Sequence, residues 1–330
     1  MTVKITRPSI DIRGTLDELN KPSGIAGNAM LAAETLQEQR NLIGAGRKNL
    51  IINGDMQVAQ RGTSFSTNGY KLDRWYMATN GTLSVSQTWS SELGMYYFNA
   101  TNTIAWGAYQ KVEDKNCRHL KVGDVITISF YTNASMWLGF GVSGVSTNSY
   151  EMTTIETIGS WTRQSISFTM DSTLVNGILA GNPLYVEPKP KNTGSFGFTG
   201  VQVELGSVAT DFEHRSYGEE LALCQRYFTV LSNEINAGIC VAAVWASTVS
   251  YGYVEYPTEM RVAPSIIVGD VTGFRMFAGG GAPYTTNVLG SNETNRHRAE
   301  LYFTHGALTV GQAAFVRMTS ATHLYADAEL

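Results

Sequence analysis

The sequence predicts an all-β chain: an antiparallel β-sandwich, then a second sandwich-like β-domain, with a short helical segment in front. Three observations predict it. Charged residues are only 16% of the 330, hydrophobic residues are 43%, and there are 33 glycines, 16 tyrosines and 13 phenylalanines. A chain so poor in charge and rich in turn and aromatic residues favours strands over helices. Apolar residues also alternate with Ser and Thr at period two through much of the chain beyond residue 48. Lastly, two long polar-aromatic segments, 49–76 and 201–228, bracket the strand-rich stretch and mark its ends.

Residues 1–48 form the first region. Pro8 and the turn Lys21-Pro22-Ser23-Gly24 punctuate an extended leader. Residues 28–43 then place Ala29, Ala33, Leu36, Arg40 and Ile43 at intervals of three and four, the spacing of one helix face. Asn28 is its N-cap, and Gly44 and Gly46 stop it. Two heptads are too short to stand alone in water, so this helix packs on something else.

Residues 49–217 form the second region. Leu83, Val85, Gln87 and Trp89 alternate with Ser and Thr; Ile126, Ile128 and Phe130 do the same, as do Ile166, Phe168 and Met170. Each reads as a strand with one buried face. Asn68-Gly69, Asn80-Gly81 and Val122-Gly123-Asp124 supply turns between them. Across 196–205 the apolar parity changes from Phe196 and Phe198 to Val201, Val203 and Leu205, which requires a bulge near Thr199-Gly200. A short helix over 219–228, with Leu221, Cys224 or Gln225, and Phe228 inward, opens the third region, 218–330. There 241–249, 251–256, 265–268, 298–303 and 313–318 read as strands. The Gly-, Asn- and Thr-rich stretch 278–295 reads as a long exposed loop, a length that is usually functional or disordered.

A net charge of −4 without a basic stripe excludes a phosphate-neutralising nucleic-acid binder. Cys117, Cys224 and Cys240 are odd in number and widely spaced, so they imply neither a disulfide framework nor a zinc site. The first residues lack the apolar core of a secretory signal, and no apolar run reaches the ~20 residues of a membrane helix. None of the familiar catalytic motifs is present, and no catalytic residue is assigned. A carboxylate pair of glycosidase type leaves no trace in sequence and stays open as an alternative.

Candidate binding residues are polar or aromatic. Asp55, near the first strand of the sandwich, and Glu204, in the last, can supply oxygens to a structural Ca²⁺; alternatively Asp55 caps its own turn. No other cofactor is implied. Asp73-Arg74-Trp75 and Phe212-Glu213-His214-Arg215 read as architectural pairings of buried charge with aromatic neighbours. Trp89, Tyr96, Tyr97, Trp106, Tyr109 and Trp137 are candidate sugar-stacking platforms, or core; Tyr284 in the long loop is the least core-like.

The segments NLIINGDMQVAQRGTSF with DRW, and GVQVELGSVATDFEHRSYGEELALCQRYF, closely resemble phage and prophage tail-fibre or receptor-binding proteins with a carbohydrate-binding jelly roll. MRVAPSIIVG and the terminal ADAEL resemble the same proteins. The resemblance spans about residues 45–330. It implies a jelly roll over 49–217, a distal receptor-facing β-domain over 218–330 and a virion-attachment segment over 1–48. It further implies a homotrimer without enzymatic activity, made in the host cytoplasm, docked on other tail proteins and touching a host surface polysaccharide. The contact is expected at Tyr284, Asn287, Asn292 and Asn295, with Trp106 and Tyr109 in support. The competing expectations are a connector or decoration protein that binds no receptor, and a polysaccharide depolymerase.

Overall fold

Two six-stranded antiparallel sheets face one another across the first core of this computed structural model. It describes residues 48–330 apart from 79, 80, 82, 103–106, 153–159 and 280–282; the helix expected over 28–43 lies outside the described residues. One sheet runs β1 (Ser64–Phe65), β4 (Leu83–Ser90), β5 (Met95–Asn102), β12 (Gly194–Leu205), β7 (Val125–Thr132), β10 (Thr162–Thr169). The other runs β2 (Gly69–Tyr70), β3 (Tyr76–Met77), β6 (Ala108–Val112), β11 (Leu184–Pro190), β8 (Met136–Val142), β9 (Ser146–Glu151). Apart from the β8–β9 hairpin, chain-consecutive strands from β5 to β12 therefore hop between the sheets, giving the orders 5-12-7-10 and 6-11-8-9. That is a jelly roll.

The alternation read from sequence explains which faces meet. Val85, Phe98, Ala100, Ile126, Ile128 and Phe130 of one sheet bury against Ala108, Leu138, Phe140, Val142, Leu184 and Val186 of the other. Phe196, Phe198, Val201 and Val203 all enter this core because the register shifts between Thr199 and Gln202. Gly200 takes the left-handed conformation there, with φ of +59°. The expected bulge is present, and it lets both parities face inward.

The third region holds a three-stranded sheet, β13 (Phe228–Ser232), β22 (Leu324–Asp327), β16 (Ser265–Val268). Against it lies a seven-stranded sheet, β18 (Tyr284–Thr285), β17 (Phe274–Phe277), β21 (Ala313–Met318), β14 (Gly238–Ala246), β15 (Val249–Glu255), β20 (Arg298–Thr304), β19 (Val288–Thr294). Phe274, Met276, Leu301, Phe303, Val316 and Leu324 fill a second core. The helix is Tyr217–Gln225 rather than 219–228: Ser216 caps its N-terminus, Glu220 and Cys224 are buried in it, and Phe228 begins β13. The run expected as one strand over 241–249 breaks after Ala246, and Val249 starts the next strand.

The stretch expected as a loop over 278–295 is corrected. It supplies β18 and β19, and β19 pairs with β20 from Val288↔Thr304 to Thr294↔Ala299. Its polar composition suits an edge strand, where one side of the ladder faces water and hydrophobic alternation is not required.

The two bracketing segments interlock. Gly54 lies so close to Val201 that a Cβ would stand 2.3 Å from the Val201 carbonyl oxygen, and the Val201 amide donates to the Gly54 carbonyl at 3.0 Å. Buried Asn53 accepts from the Val58 amide and donates to the Val58 and Asp73 carbonyls. Arg215 donates to the carbonyls of Asn49 and Ile51 and pairs with Glu220. Asp73 does not pair with its neighbour Arg74; it accepts from Gln60 and meets Arg61 at 3.5 Å. Arg74 is buried, its guanidinium 3.5 Å from the Tyr227 ring centroid, and it pairs with Glu329 at the end of the chain. Arg61 and Arg261 hold the same terminus, and the Tyr70 hydroxyl donates to the Leu330 carbonyl. Residues Asn49–Leu330 thus make one compact unit with two cores and a polar joint between them.

Candidate functional site

Alternation on β11 decides the site. In Leu184–Pro190 the residues Leu184, Val186, Pro188 and Pro190 are buried, so Tyr185, Glu187 and Lys189 project from the opposite, outer face. Register carries that face across the sheet. Tyr76 pairs with Tyr109, Lys111 with Tyr185, Glu187 with Gly139, and Lys189 with Trp137. Directly paired residues share a face, so side chains more than a hundred residues apart in sequence form one surface.

Its centre is a row of tyrosines. Tyr76 stacks on Tyr109 with centroids 5.0 Å apart and planes at 24°, and Tyr109 meets Tyr185 at 5.1 Å and 39°. Tyr70 closes the row edge-on at 5.1 Å from Tyr76. These distances match the ~4.8 Å spacing of neighbouring strands, which brings one ring per strand into contact with the next. Gly139 makes room for the row's polar end: a Cβ there would lie 2.8 Å from Glu187 Oε2 and 3.4 Å from Tyr185 Cε1. Trp137 lies at the far side with the Lys191 ammonium 5.7 Å above its ring.

Burial tunes these groups. Desolvation lifts the Glu187 carboxyl above its ordinary range, although the Tyr185 hydroxyl and Lys189 pull the other way. Tyr185 is raised by its own burial and then by Glu187, to which its hydroxyl donates. Tyr109 is raised by burial, then by Tyr76 and Glu187. The face therefore offers half-buried ring surfaces beside a carboxylate, phenol hydroxyls and lysines. A pyranose fits that chemistry: its C–H faces cover rings while its hydroxyls find donors and acceptors.

Among the described residues, the expected site residues do not come together. Tyr109 lies in the row, while Trp106 lies outside the described residues. Tyr284 is paired with Met276, half-buried and packed against the second core, so it is not the exposed loop residue expected. Asn287, Asn292 and Asn295 are exposed. Asn292 donates to Glu300, and the Asn295 side chain accepts from the His297 and Arg298 amides, capping its own turn. Among the other aromatics, Trp89 and Tyr96 form an exposed edge-on pair at 5.1 Å, and Tyr97 packs on Trp161.

Both carboxylates considered for calcium have hydrogen-bond partners within the protein. Glu204 accepts from the Thr210 amide and hydroxyl and from Gln202. Asp55 accepts from Gln57, and burial raises its pKa. Among the described residues no group of three or more His, Cys, Asp or Glu side chains could hold a metal ion. Sequence reading missed Tyr76, Tyr185 and Glu187. The polar-apolar alternation of 184–190 was the signal that would have found the last two.

No family model matches the sequence, and no curated protein matches it. Half of the chain is similar to several solved structures. The CBM22-1 xylan-binding domain of Paenibacillus barcinonensis Xyn10C is 15% identical over 50% of this chain and 100% of that one, with a TM-score of 0.31. A Stig cyclase from Fischerella sp. TAU is 10% identical over 49% and 99%, with a TM-score of 0.35. The enzymatically active domain of tailspike protein 4 from bacteriophage CBA120 is 11% identical over 48% of this chain and 21% of that one, with a TM-score of 0.32. At these identities and scores nothing about ligand, partner or activity follows, and the fold rests on the strand pairing above.

Proposed function

We propose that this chain is a host-recognition component of a phage tail fibre or spike, and that it holds surface polysaccharide on the tyrosine face of the jelly roll. The row Tyr76–Tyr109–Tyr185 beside Glu187 carries the reading. It places three rings in mutual contact next to hydrogen-bonding groups on a sheet face whose other side is core. The attachment segment would be residues 1–48, joining the chain to other tail proteins. The two bracketing segments favour the phage setting through their resemblance, while their side chains act in the joint. Recognition thus moves from the expected region of Tyr284 and Asn287–Asn295 to the jelly roll.

The test is binding of the full chain to a panel of bacterial capsule and lipopolysaccharide glycans. Tyr109→Ala and Tyr185→Ala should each weaken the best ligand about tenfold, which is 1.4 kcal/mol. A double variant that binds as tightly as the parent overturns the assignment. Release of new reducing ends during incubation would instead support a depolymerase. A connector that binds no glycan is the second reading. An empty glycan panel would select it.

A further inference from the structure

The outer face of the seven-stranded sheet is unlike the rest of the surface. Its inner side is core, so β14 directs Val241, Ala243 and Trp245 outward, β15 Tyr251 and Tyr253, β20 Tyr302, and β21 Ala313 and Phe315. Trp245 is 76% exposed, Val241 64%, Tyr253 51%, and Val288 and Phe315 about 40%. Register puts Phe277, Phe315, Val241 and Tyr253 in one row, and Ala313, Ala243, Tyr251 and Tyr302 in the next. Glycines keep the face flat. A Cβ on Gly290 would stand 2.7 Å from the Tyr302 ring, and one on Gly238 2.6 Å from Phe315, so both rings lie down over the sheet.

We infer that this face is where a second copy of the chain docks. Its area fits: at roughly 150–250 Å² per aromatic side chain, the exposed fractions and their half-exposed neighbours amount to something on the order of 600–800 Å². A standard interface takes about 800 Å² from each partner, whereas the largest apolar patch of a typical monomer is ~300–600 Å². Its composition also fits. No lysine occurs after Lys191, so the charges flanking the face are arginine and glutamate, and lysine depletion with aromatic and arginine enrichment marks interface cores.

The charges commit the occupant. Arg275 and Arg317 lie on the β17–β21 flank, the latter over the rings of Phe277 and Phe315. Glu255 and Glu300 lie on the β15–β20 flank, together with Arg298 over Tyr253. When two copies meet face to face with strands aligned, β21 of one lies over β15 of the other, and Arg317 meets the Glu255 of the second copy. The same flanks meet when copies close into a ring. A stacked glycan would not need Val241, Val288 or Ala243, and the aliphatic content favours protein.

The experiment is mass measurement of the full chain across a micromolar dilution series. The wild type should be a defined oligomer, and Val241→Glu with Trp245→Glu should be monomeric with unchanged circular dichroism. Arg317→Glu and Glu255→Arg should each weaken association at least tenfold, and the two together should restore it; this pair still reports if the first variant misfolds. A monomeric wild type overturns the proposal, as does association that survives Val241→Glu with Trp245→Glu. A monomer whose glycan binding depends on Trp245 would make the face a ligand platform instead. Glycan binding by the tyrosine face is read separately and can fail on its own.

Discussion

The molecule presents two aromatic sheet faces, and they differ in what surrounds the rings. On the jelly roll, Tyr76, Tyr109 and Tyr185 stand beside Glu187, Lys111 and Lys189. On the seven-stranded sheet the rings stand beside Val241, Val288, Ala243 and Ala313, with charge confined to the flanks. Both faces use glycine to lay rings against the sheet, at Gly139 and at Gly290. Aromatic density alone therefore does not define a ligand. A sugar needs polar partners within reach of each ring, whereas a protein partner needs contiguous apolar area and tolerates charge only at its rim.

That contrast presumes one folded unit carrying both faces, and the largest effect comes from breaking it. Glu329→Ala leaves the buried Arg74 without its carboxylate and removes a partner of Arg61. Losing one member of a buried pair costs about 3–5 kcal/mol. Urea unfolding followed by tryptophan fluorescence should then split in two. The signals separate because, among the described residues, Trp75, Trp89, Trp137 and Trp161 belong to the jelly-roll half and Trp245 to the other. A variant that unfolds at the parental midpoint in one step would show that the joint does not couple the halves.

A smaller effect tests the glycines. Gly139→Ala would press on Glu187 and Tyr185, and Gly290→Ala on Tyr302, all side chains that can shift; about 1 kcal/mol each is expected for such overpacking. Gly139→Ala should lower glycan affinity severalfold and leave association unchanged, and Gly290→Ala should do the reverse. Titration calorimetry and the dilution series separate the two, and crossed effects would dissolve the distinction between the faces.

Much of this was legible in the sequence, for local reasons. Ile126, Ile128 and Phe130 announced a one-sided strand, and the parity change at Thr199-Gly200 announced the bulge. Arg74, Trp75, Glu213 and Arg215 read as architectural: Trp75 fills the jelly-roll core against Phe198, and the three charged residues hold the joint. The binding faces were not legible, because strand order creates them. Tyr76, Tyr109 and Tyr185 become neighbours only through the order β3, β6, β11. The stretch 288–294 misled for a different reason: an edge strand with a bulge can be as polar as a loop.

The smallest effect is also the sharpest, because each face carries a Tyr–Glu pair in a different setting. Desolvation raises Glu187, whereas hydrogen bonds from Tyr253 and then Asn292 lower the partly exposed Glu300. A carboxyl with a raised folded pKa binds protons more readily when folded, so its ionisation costs stability at neutral pH. That cost vanishes once the pH falls below the ordinary value of 4.5. A lowered carboxyl contributes stability above 4.5 and loses it as the pH falls through its folded pKa. Glu187→Gln should therefore raise the thermal midpoint at pH 7–8 and match the parent near pH 4. Glu300→Gln should lower the midpoint slightly at pH 7–8 and converge in acid, the shift kept small by solvent exposure. Midpoints measured across that range should move in opposite directions. If both move the same way, the two Tyr–Glu pairs do not differ in the balance of desolvation and hydrogen bonding that sets them apart.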